Sequence, residues 1–546
     1  MQLARPSLAT AAPVALEADV LASANWRANA AALSEAQPAV VARLQEESAR
    51  VSWLFARDGA LTARDAAGAW WADCSVPAAA AKLMLKSFGG SGTVACFLRP
   101  PSAAALRVAL DRLRPNQAIV AIVPDVQAAC VMLHCESFAA DVRGDRLWLT
   151  IGDDWETALA SLLRDHEGLP TPTQFVRLSD GTEELAEAMI APAQRVLTEI
   201  THLRAATIGQ LLERTTEVSP KDACVIAPSH FRLWDDAGHT LLQLAGQLGW
   251  THLDPDDPAC TSPLAMARAA SRCGAVITPN TARADLPNVV APSTAWITWL
   301  TGPRVPAFAG AGPRDALIVA DPTWRDTAIA NGWPAARVHV ATWPAAELPR
   351  APKGALLIAA DIRPLDPPKE VVEMSSHRLL WEAITDELTR DPFALGPSIL
   401  DYLHARMKRI NIATNAIDQR RFIDDLIVPA YARGLAELLR QNGLPLRCVG
   451  EGWDAIEMLK PFARGPIATR ERFAEAVAAS AALVHVFPMS CAHPIAHQGR
   501  PVVYATGGRE TFLRDARAAV AGKLASGLHS APVLTAELLQ RLLDPC

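Results

Sequence analysis

The stretch that decides the fold is LPLRCVGEGW (444–453), which continues as GPIATRERFAEAVAASAALVHVFPMSCAHPIAHQGRPVVYATGG (465–508). Apolar runs of strand length at 446–449, 482–487 and 502–505 alternate with helical patterns, and glycine-containing turns separate them. Strands that alternate with helices favour a parallel sheet covered by helices on both faces. The stretch therefore predicts a Rossmann-like α/β unit.

The same alternation extends through most of the chain. Further strands are predicted at 93–98, 117–123, 146–151, 223–227, 274–278, 289–291, 295–299, 315–319, 337–341 and 355–360. A long helical stretch at 183–217 separates an early series of strands from a later one. We therefore predict an α/β protein with two Rossmann-like domains at about 219–546, preceded by a third Rossmann-like α/β domain.

Composition and breakers divide the chain into five predicted segments. They are an Ala-rich, partly disordered leader (1–40), an N-terminal α/β domain (41–195), a helical connector (196–218) and two Rossmann-like domains (219–350 and 351–546). A chain of 546 residues has the length of about three ordinary domains.

Charge and composition exclude several classes of protein. The net charge is −6 and half of the residues are hydrophobic, so we expect a packed protein without the basic face that nucleic-acid binding needs. No apolar run reaches the ~18–20 residues of a membrane span. The ten cysteines form no C-x-x-C pair, which favours free thiols in a reducing, cytoplasmic location.

The order of elements in 444–508 resembles the nucleotide-sugar-binding domain of GT-B glycosyltransferases, and in particular that of the CgeB-like group. The features that match are the turn Gly450 to Trp453, Gly465-Pro466 before a helix, and Gly499-Arg500-Pro501 before a strand. Upstream, LPNVVAPSTAWITWL (286–300) and DALIVADPTWRDTAIANGWPAARVHVATWPAA (315–346) resemble further segments of the same family.

This resemblance implies a GT-B arrangement, with 219–350 on the acceptor side and 351–546 on the nucleotide-sugar side. It implies metal-independent transfer of a sugar from a nucleotide-sugar, which is a substrate and not a cofactor, to a protein or glycan acceptor. The N-terminal domain is similar to part of the motility accessory factor proteins, which glycosylate flagellin. The assembly state stays open, and a homo-oligomer is one alternative.

A nucleotide-sugar is an anion, and the N-terminus of a helix after a strand binds anions well. The donor-binding candidates are therefore the turn Gly450, Glu451, Gly452 and Trp453 for the nucleoside, the N–H groups of Ser490, Cys491 and Ala492 for the phosphates, and the charge of Arg470. Many related enzymes hold the ribose or sugar with a Glu, but no Glu lies between Phe487 and Arg509. His493 and His497 are the predicted replacements.

His493 and His497 also have the spacing of metal ligands on one helix face, with Cys491 nearby. However, no Glu follows as in H-E-x-x-H, and the cysteines form no second cluster. We therefore predict no metal site.

The candidate catalytic bases are His230, Asp235 and Asp236, in the loop after the strand 223–227. A carboxylate or imidazole near the acceptor hydroxyl is what sugar transfer by inversion needs. The alternative is that either Asp serves only as the N-cap of the next helix. Asn280, Trp296 and Trp299 are the residues expected on the acceptor side.

The N-terminal domain leaves another function open. Gly89-Gly90-Ser91-Gly92 before a strand is typical of a degenerate methyltransferase-like fold, which would make residues 80–160 a site for S-adenosylmethionine. Val123 stands where such a site needs an acidic residue, so we expect a docking or oligomerisation role instead. Independently of this domain, the lack of a Glu near His493 leaves open a GT-B-shaped scaffold or binding protein without turnover.

Overall fold

A computed structural model describes residues 11–543, apart from 45–50, 87, 89–92, 114–115, 179–182, 214–221, 230–232, 234–236, 303, 344–352, 363–366, 368–370, 372–373, 397–398, 415, 468, 487–500, 506 and 525–531. The chain divides into two units. Unit 1 contains Met1–Arg214 and Asp254–Arg268, and unit 2 contains Thr215–Leu253 and Ala269–Cys546.

Unit 1 is built on a four-stranded parallel sheet. Its helices are α1 (Ala11–Ala36), α2 (Pro38–Leu44), α3 (Pro77–Met84), α4 (Ala103–Arg112), α5 (Val126–Cys135), α6 (Ala139–Arg143), α7 (Trp155–Asp165) and α8 (Glu183–Glu213). Its strands are β1 (Ser52–Phe55), β2 (Leu61–Arg64), β3 (Val94–Leu98), β4 (Ala118–Val123), β5 (Leu147–Ile151) and β6 (Gln174–Val176). The order in the sheet is β5-β4-β3-β6, while β1 and β2 form a separate antiparallel hairpin.

Helices cover both faces of this sheet. Residues of α1, α2, α4 and α5 pack on one face of β3 and β4, and residues of α7 and α8 pack on the other. Strands buried on both faces read as continuous apolar runs, which is why β3, β4 and β5 could be predicted from sequence.

Within the predicted leader, residues 11–36 form α1. Small residues of this helix, among them Ala18, Ala22 and Ala32, are fully buried. The buried Asn29 amide donates to the Leu133 and Glu136 carbonyl oxygens, at 2.7 Å each. The Ala-rich sequence gave little sign of this burial.

The first sheet of unit 2 has six parallel strands. They are β7 (Ala223–Ile226), β8 (Thr251–Leu253), β9 (Ala275–Pro279), β10 (Ala295–Leu300), β11 (Ala316–Val319) and β12 (Val338–Val340), in the order β12-β11-β10-β9-β7-β8. Three helices lie in this stretch of the chain: α9 (Ala237–Leu248), α10 (Pro263–Ala270) and α11 (Thr323–Ala330). α9 covers one face and α11 the other.

The second sheet of unit 2 has four parallel strands, β13 (Leu356–Ala359), β14 (Leu446–Val449), β15 (Ala482–Val484) and β16 (Val502–Val503), in the order β14-β13-β15-β16. The helices are α12 (Ser375–Arg390), α13 (Ile399–Arg409), α14 (Gln419–Phe422), α15 (Val428–Gln441), α16 (Arg470–Ala478), α17 (Gly508–Val520) and α18 (Ala536–Leu543), with a π-helical turn at Ile423–Ile427. Short 3-10 turns lie at Trp71–Asp73, Pro258–Cys260, Arg283–Asp285, Ala335–Arg337, Pro392–Leu395, Trp453–Ala455 and Lys460–Phe462.

α12, α13, α15 and α17 pack on one face of this second sheet, and α16 packs on the other. The predicted α/β class, with parallel sheets flanked by helices, is confirmed. Within the part of the chain that the structure describes, no helix has both the length and the apolar character to cross a membrane.

Two segments pack away from their neighbours in sequence. Asp254–Arg268 belongs to unit 1, although the chain on either side belongs to unit 2. α18 packs against α9 through Leu539 and Leu543, so the end of the chain returns to the six-stranded sheet. The domain boundaries drawn from the sequence stay predictions, and they did not include these two crossings.

The strand predicted at 289–291 is wrong. These residues form a loop whose carbonyl oxygens, at Val290 and Ala291, accept hydrogen bonds from the Arg283 guanidinium at 3.1 and 3.2 Å. The backbone groups that a strand would offer to a neighbouring strand are thus used by a side chain. Arg283 itself is held by a buried, bidentate ion pair with Asp315, in which two guanidinium nitrogens donate to the two carboxylate oxygens at 2.8 Å each.

Candidate functional site

Both sheets of unit 2 reverse their strand order once. In the six-stranded sheet the reversal lies between β7 and β9, and in the four-stranded sheet it lies between β13 and β15. Ligands of open α/β sheets bind beyond the carboxyl ends of the strands at such a reversal. By this rule, one candidate binding edge lies at Ala227 and Asn280 of the six-stranded sheet. The other lies at Ala360 and His485 of the four-stranded sheet.

The turn Gly450 to Trp453 leaves β14 and crosses the end of β13. A side chain at Gly450 would place its Cβ 2.0 Å from the Ala360 carbonyl oxygen, and one at Gly452 would place it 1.7 Å from that of Ile362. Both glycines have positive φ, 120° and 86°. These positions need glycine because the protein's own backbone approaches, whereas the sequence had suggested the approach of a nucleoside.

Glu451 is the exposed residue of this turn. Its N–H donates to the Asp361 carboxylate at 2.9 Å, and its carbonyl oxygen accepts from the Ile362 N–H at 2.7 Å. The backbone of Glu451 is therefore engaged on both sides. Its side chain is the part of the turn that remains accessible to a ligand.

Trp453, in contrast, is only 1% exposed. Its indole N–H donates to the Ala360 carbonyl oxygen at 2.7 Å, and its ring packs in the core below α12 and α15. Trp453 thus fixes the turn from beneath and presents no face to solvent.

Arg470 is the first residue of α16, whose N-cap is Thr469. The adjacent Glu471 carboxylate hydrogen-bonds its own backbone N–H and the Thr469 hydroxyl, and these contacts lower its pKa, with smaller effects from the charges of Arg470 and His239. The half-buried Arg470 and the exposed Glu471 lie together at the start of this helix.

The loop after β15 carries most of the predicted phosphate site, and it falls outside the described residues. Ser490, Cys491, Ala492, His493 and His497 all lie there. Before that loop, His485 is 4% exposed, and its ring meets the edge of the Tyr504 ring with centroids 5.1 Å apart. Among the residues that are described, no group of three His, Cys, Asp or Glu side chains is arranged to hold a metal ion.

Asn280 ends β9 with a left-handed backbone (φ 55°). Its side-chain oxygen accepts from the N–H groups of Thr301 and Gly302, at 2.7 Å each, and its amide donates to the Thr301 hydroxyl at 2.7 Å. The side chain therefore ties together the carboxyl ends of β9 and β10. It shapes the edge where an acceptor is expected, with these hydrogen-bonding atoms already used.

Trp296 and Trp299 are fully buried, at 1% and 0% exposure. Their indole N–H groups donate to the carbonyl oxygens of Thr281 and Ala341, at 3.0 and 3.1 Å. Both side chains hold neighbouring segments to β10. These side chains can therefore affect an acceptor only indirectly, by positioning the segments that they hold.

His230, Asp235 and Asp236, the predicted bases, lie outside the described residues. Leu233, only 5% exposed, packs among Leu357 and Ala359 of β13 and Phe473 of α16. The loop that leaves β7 in the six-stranded sheet therefore reaches the four-stranded sheet.

Residues at the start of α9 and at the start of α16 also interact electrostatically. Gly238 lies against the exit of β7, so close that a Cβ there would be 2.5 Å from the Pro228 carbonyl oxygen. One residue further, His239 interacts electrostatically with Glu471. Sequence analysis missed this pair, because the two residues are more than 200 positions apart and belong to no common motif.

Comparisons with known proteins assign the chain to no family. No protein-family model matches the chain, and no curated protein matches it significantly. The chain is distantly similar to a MAf glycosyltransferase. That solved structure, from Magnetospirillum magneticum AMB-1, is 14% identical in sequence, with a TM-score of 0.25. The match covers 60% of this chain and 57% of the MAf chain, so it spans less than two thirds of that protein.

Proposed function

We propose that the chain is a glycosyltransferase that transfers a sugar from a nucleotide-sugar to a protein or glycan acceptor without a metal ion. The observation that carries the proposal is the contact between the carboxyl-end loops of the two sheets of unit 2. Leu233 packs against residues of β13, and the charge of His239 acts on Glu471. Two ligand-binding edges that adjoin can hold a donor on one side and an acceptor on the other.

The donor belongs to the four-stranded sheet in this proposal, as in the GT-B enzymes of the CgeB-like group that the sequence resembles. Glu451 is the group proposed to bind the ribose hydroxyls, because a carboxylate beyond a strand end is a common partner for them. Its carboxylate is exposed, while its backbone N–H is held by Asp361. The phosphates are assigned to Arg470 and to the N–H groups of Ser490, Cys491 and Ala492.

The acceptor belongs to the six-stranded sheet, on the edge formed by Ser229 and Asn280. His230, Asp235 and Asp236 are the proposed bases, with His239 as an additional candidate from its electrostatic interaction with Glu471. The transfer is proposed to need no metal, so activity should persist in EDTA.

The test is a binding and turnover assay with UDP-, GDP-, CMP- and dTDP-sugars. We expect one nucleotide class to raise the melting temperature by mass action and its sugar to be released or transferred. Glu451→Gln should weaken that binding by about tenfold or more, the loss expected for one charged hydrogen bond. Glu457→Gln, a change at another exposed Glu nearby, should bind as the wild type does.

Each alternative function has its own outcome in this assay. Binding of a nucleotide-sugar without any turnover favours the scaffold. Binding of S-adenosylmethionine alone favours the methyltransferase, although two features of unit 1 argue against that function. Val123 ends β4 as a buried apolar residue, and Arg43 fills the end of β5, where it hydrogen-bonds the Ile151 carbonyl oxygen and the Asp154 carboxylate. If neither ligand binds, the proposal is wrong.

A further inference from the structure

α1 has a buried face and an exposed face. Ala18 and Ala22 pack against Leu61 of the β1–β2 hairpin, and further along the helix Ala32 and Leu33 join the core on the sheet of unit 1. These contacts fix the rotation of α1 about its own axis. They therefore determine which side chains the helix presents to solvent.

The exposed face carries two large apolar side chains on adjacent turns. Leu16 is 67% exposed and Val20 is 61% exposed. Side chains four residues apart on a helix lie one above the other, so these two form a continuous apolar surface. Single apolar side chains are ordinary on a protein surface, but a row of them along a helix is what a second helix packs against.

The second half of the same face has smaller apolar side chains. Ala24 and Ala31 are exposed, and they follow Val20 at the spacings of three and four that keep residues on one side of a helix. A two-fold axis pairs a helix with a reversed copy of itself. In such a pair, Leu16 and Val20 lie over the partner's Ala24 and the partner's Ala31, so large side chains meet small ones.

The charges of α1 are also divided between its two halves. Glu17 and Asp19 are exposed in the first half, and Arg27 is exposed in the second. In an antiparallel pair centred near Ser23, Arg27 comes level with the partner's Glu17 and the partner's Asp19. A parallel pair would instead set Glu17 against the partner's Glu17. Opposite charges across an interface are favourable and like charges are costly, so the charges favour the antiparallel pair.

We propose that the exposed face of α1 is an interface between two copies of this chain, which pair antiparallel about a two-fold axis near Ser23. A second copy is the occupant because the two halves of this face complement each other in both size and charge. The interface lies on unit 1 and does not depend on the proposed transfer reaction.

The size of the interface sets the expected strength of the dimer. α1 has 26 residues, so the contact strip is about 39 Å long and roughly 10 Å wide. This is less than the ~800 Å² per partner of a standard interface. We therefore expect a reversible dimer with a dissociation constant in the micromolar range.

The first test measures the mass of the full chain by sedimentation over a range of concentrations. Val20→Asp places a carboxylate in the apolar surface and should weaken self-association by about 10- to 100-fold. Leu83→Asp makes the same change at another exposed leucine of unit 1, in α3, which is 75% exposed, and it should associate as the wild type does. At concentrations where all three proteins are monomeric, their melting temperatures should agree, because both side chains are exposed.

The second test exchanges the charges. Glu17→Arg alone and Arg27→Glu alone each set like charges against each other across the two-fold axis, so each variant should associate less than the wild type. A mixture of the two variants should recover the dimer. In the mixed pair, one copy is positive at both positions and the other is negative at both, so both contacts between positions 17 and 27 join opposite charges.

Recovery in the mixture identifies a contact between two chains, since residues 17 and 27 are too far apart along one helix to meet within it. The proposal is overturned if the wild type stays monomeric at high micromolar concentration, or if Val20→Asp associates as strongly as the wild type. It is also overturned if the single charge variants associate normally, or if mixing them restores nothing.

Discussion

Asp145 shows how one side chain can make stability depend on pH. It lies in the turn between α6 and β5 with a left-handed backbone (φ 56°), and the Trp148 indole donates to its carbonyl oxygen at 2.8 Å. Burial, with a further contribution from the charge of Asp257, raises the pKa of the Asp145 carboxyl to about 6. An aspartate in an unfolded chain has a pKa of about 3.9.

We predict that the free energy of unfolding falls as the pH rises from about 4 to about 6. The folded state binds the Asp145 proton more tightly than the unfolded state, so the stabilisation is complete below the lower pKa and is lost through the higher one. Asp145→Asn removes this dependence and suits the left-handed turn. At pH 7 it should be more stable than the wild type by roughly 1 kcal/mol, a value reduced for the partial exposure of the group.

Chemical unfolding curves at pH 4 and pH 7 measure this difference. The exposed Asp153, changed to Asn, serves as the control, with the same difference from the wild type at both pH values. Equal pH dependence in Asp145→Asn and the wild type would show that another group is responsible.

At the scale of elements, the turn between β14 and α16 depends on glycine for packing. We predict that Gly450→Ala lowers the free energy of unfolding by about 3 kcal/mol or more, because its Cβ would meet the Ala360 carbonyl oxygen at 2.0 Å. Gly465→Ala is the matched control. It has positive φ (78°) with no atom near its Cβ, so it should cost only about 1–2 kcal/mol.

Denaturant unfolding of the two variants separates the energetic cost of the positive φ, which both share, from the cost of the steric clash at position 450. If Gly450→Ala is no worse than Gly465→Ala, the close approach of β13 has little energetic weight. A valine at position 450 is not a clean probe of ligand binding for the same reason, since the fold itself would have to shift.

Elements buried on both faces could be predicted from sequence, and short edge elements could not. β4 (AIVAIV) and β10 (AWITWL) are fully buried apolar runs. β6 and β8 have three residues each and lie at the edges of their sheets, where partial exposure removes the apolar signal. The β1–β2 hairpin was missed because most of β1 is only half buried.

The candidate site was predictable in outline only. The carboxyl ends of strands and the turn at Gly450 follow from the pattern of apolar runs and glycines. The burial of Trp296 and Trp453, and the use of the Asn280 amide inside the protein, depend on contacts across the sheets. The electrostatic interaction of His239 with Glu471 likewise joins two sheets that are far apart in the sequence.

At the scale of the whole molecule, the end of the chain contributes to a core that begins more than 300 residues earlier. We predict that Leu539→Ala lowers the free energy of unfolding by about 2–5 kcal/mol, because this fully buried side chain packs with Leu241 and Leu244 of α9. The exposed Gln540, changed to Ala, should leave stability within about 0.5 kcal/mol.

Thermal and denaturant unfolding measure both variants, and hydrogen exchange in α9 gives a local readout. Faster exchange in α9 on loss of Leu539 indicates that α18 protects the six-stranded sheet. Unchanged exchange there, together with unchanged stability, would contradict the packing of α18 on this sheet.

The segment Asp254–Arg268 also fixes an order of events during synthesis. Gly168 lies so close to it that a Cβ would be 1.6 Å from the Ala259 carbonyl oxygen, and Glu167 forms an ion pair with Arg268. Unit 1 otherwise ends at Arg214, so the ribosome must supply residues 215–268 before this unit can be completed. At about 5–20 residues per second, that delay lasts roughly 3–11 s. During translation, residues 1–214 therefore cannot complete unit 1 until Asp254–Arg268, a segment within the sequence of unit 2, has been made.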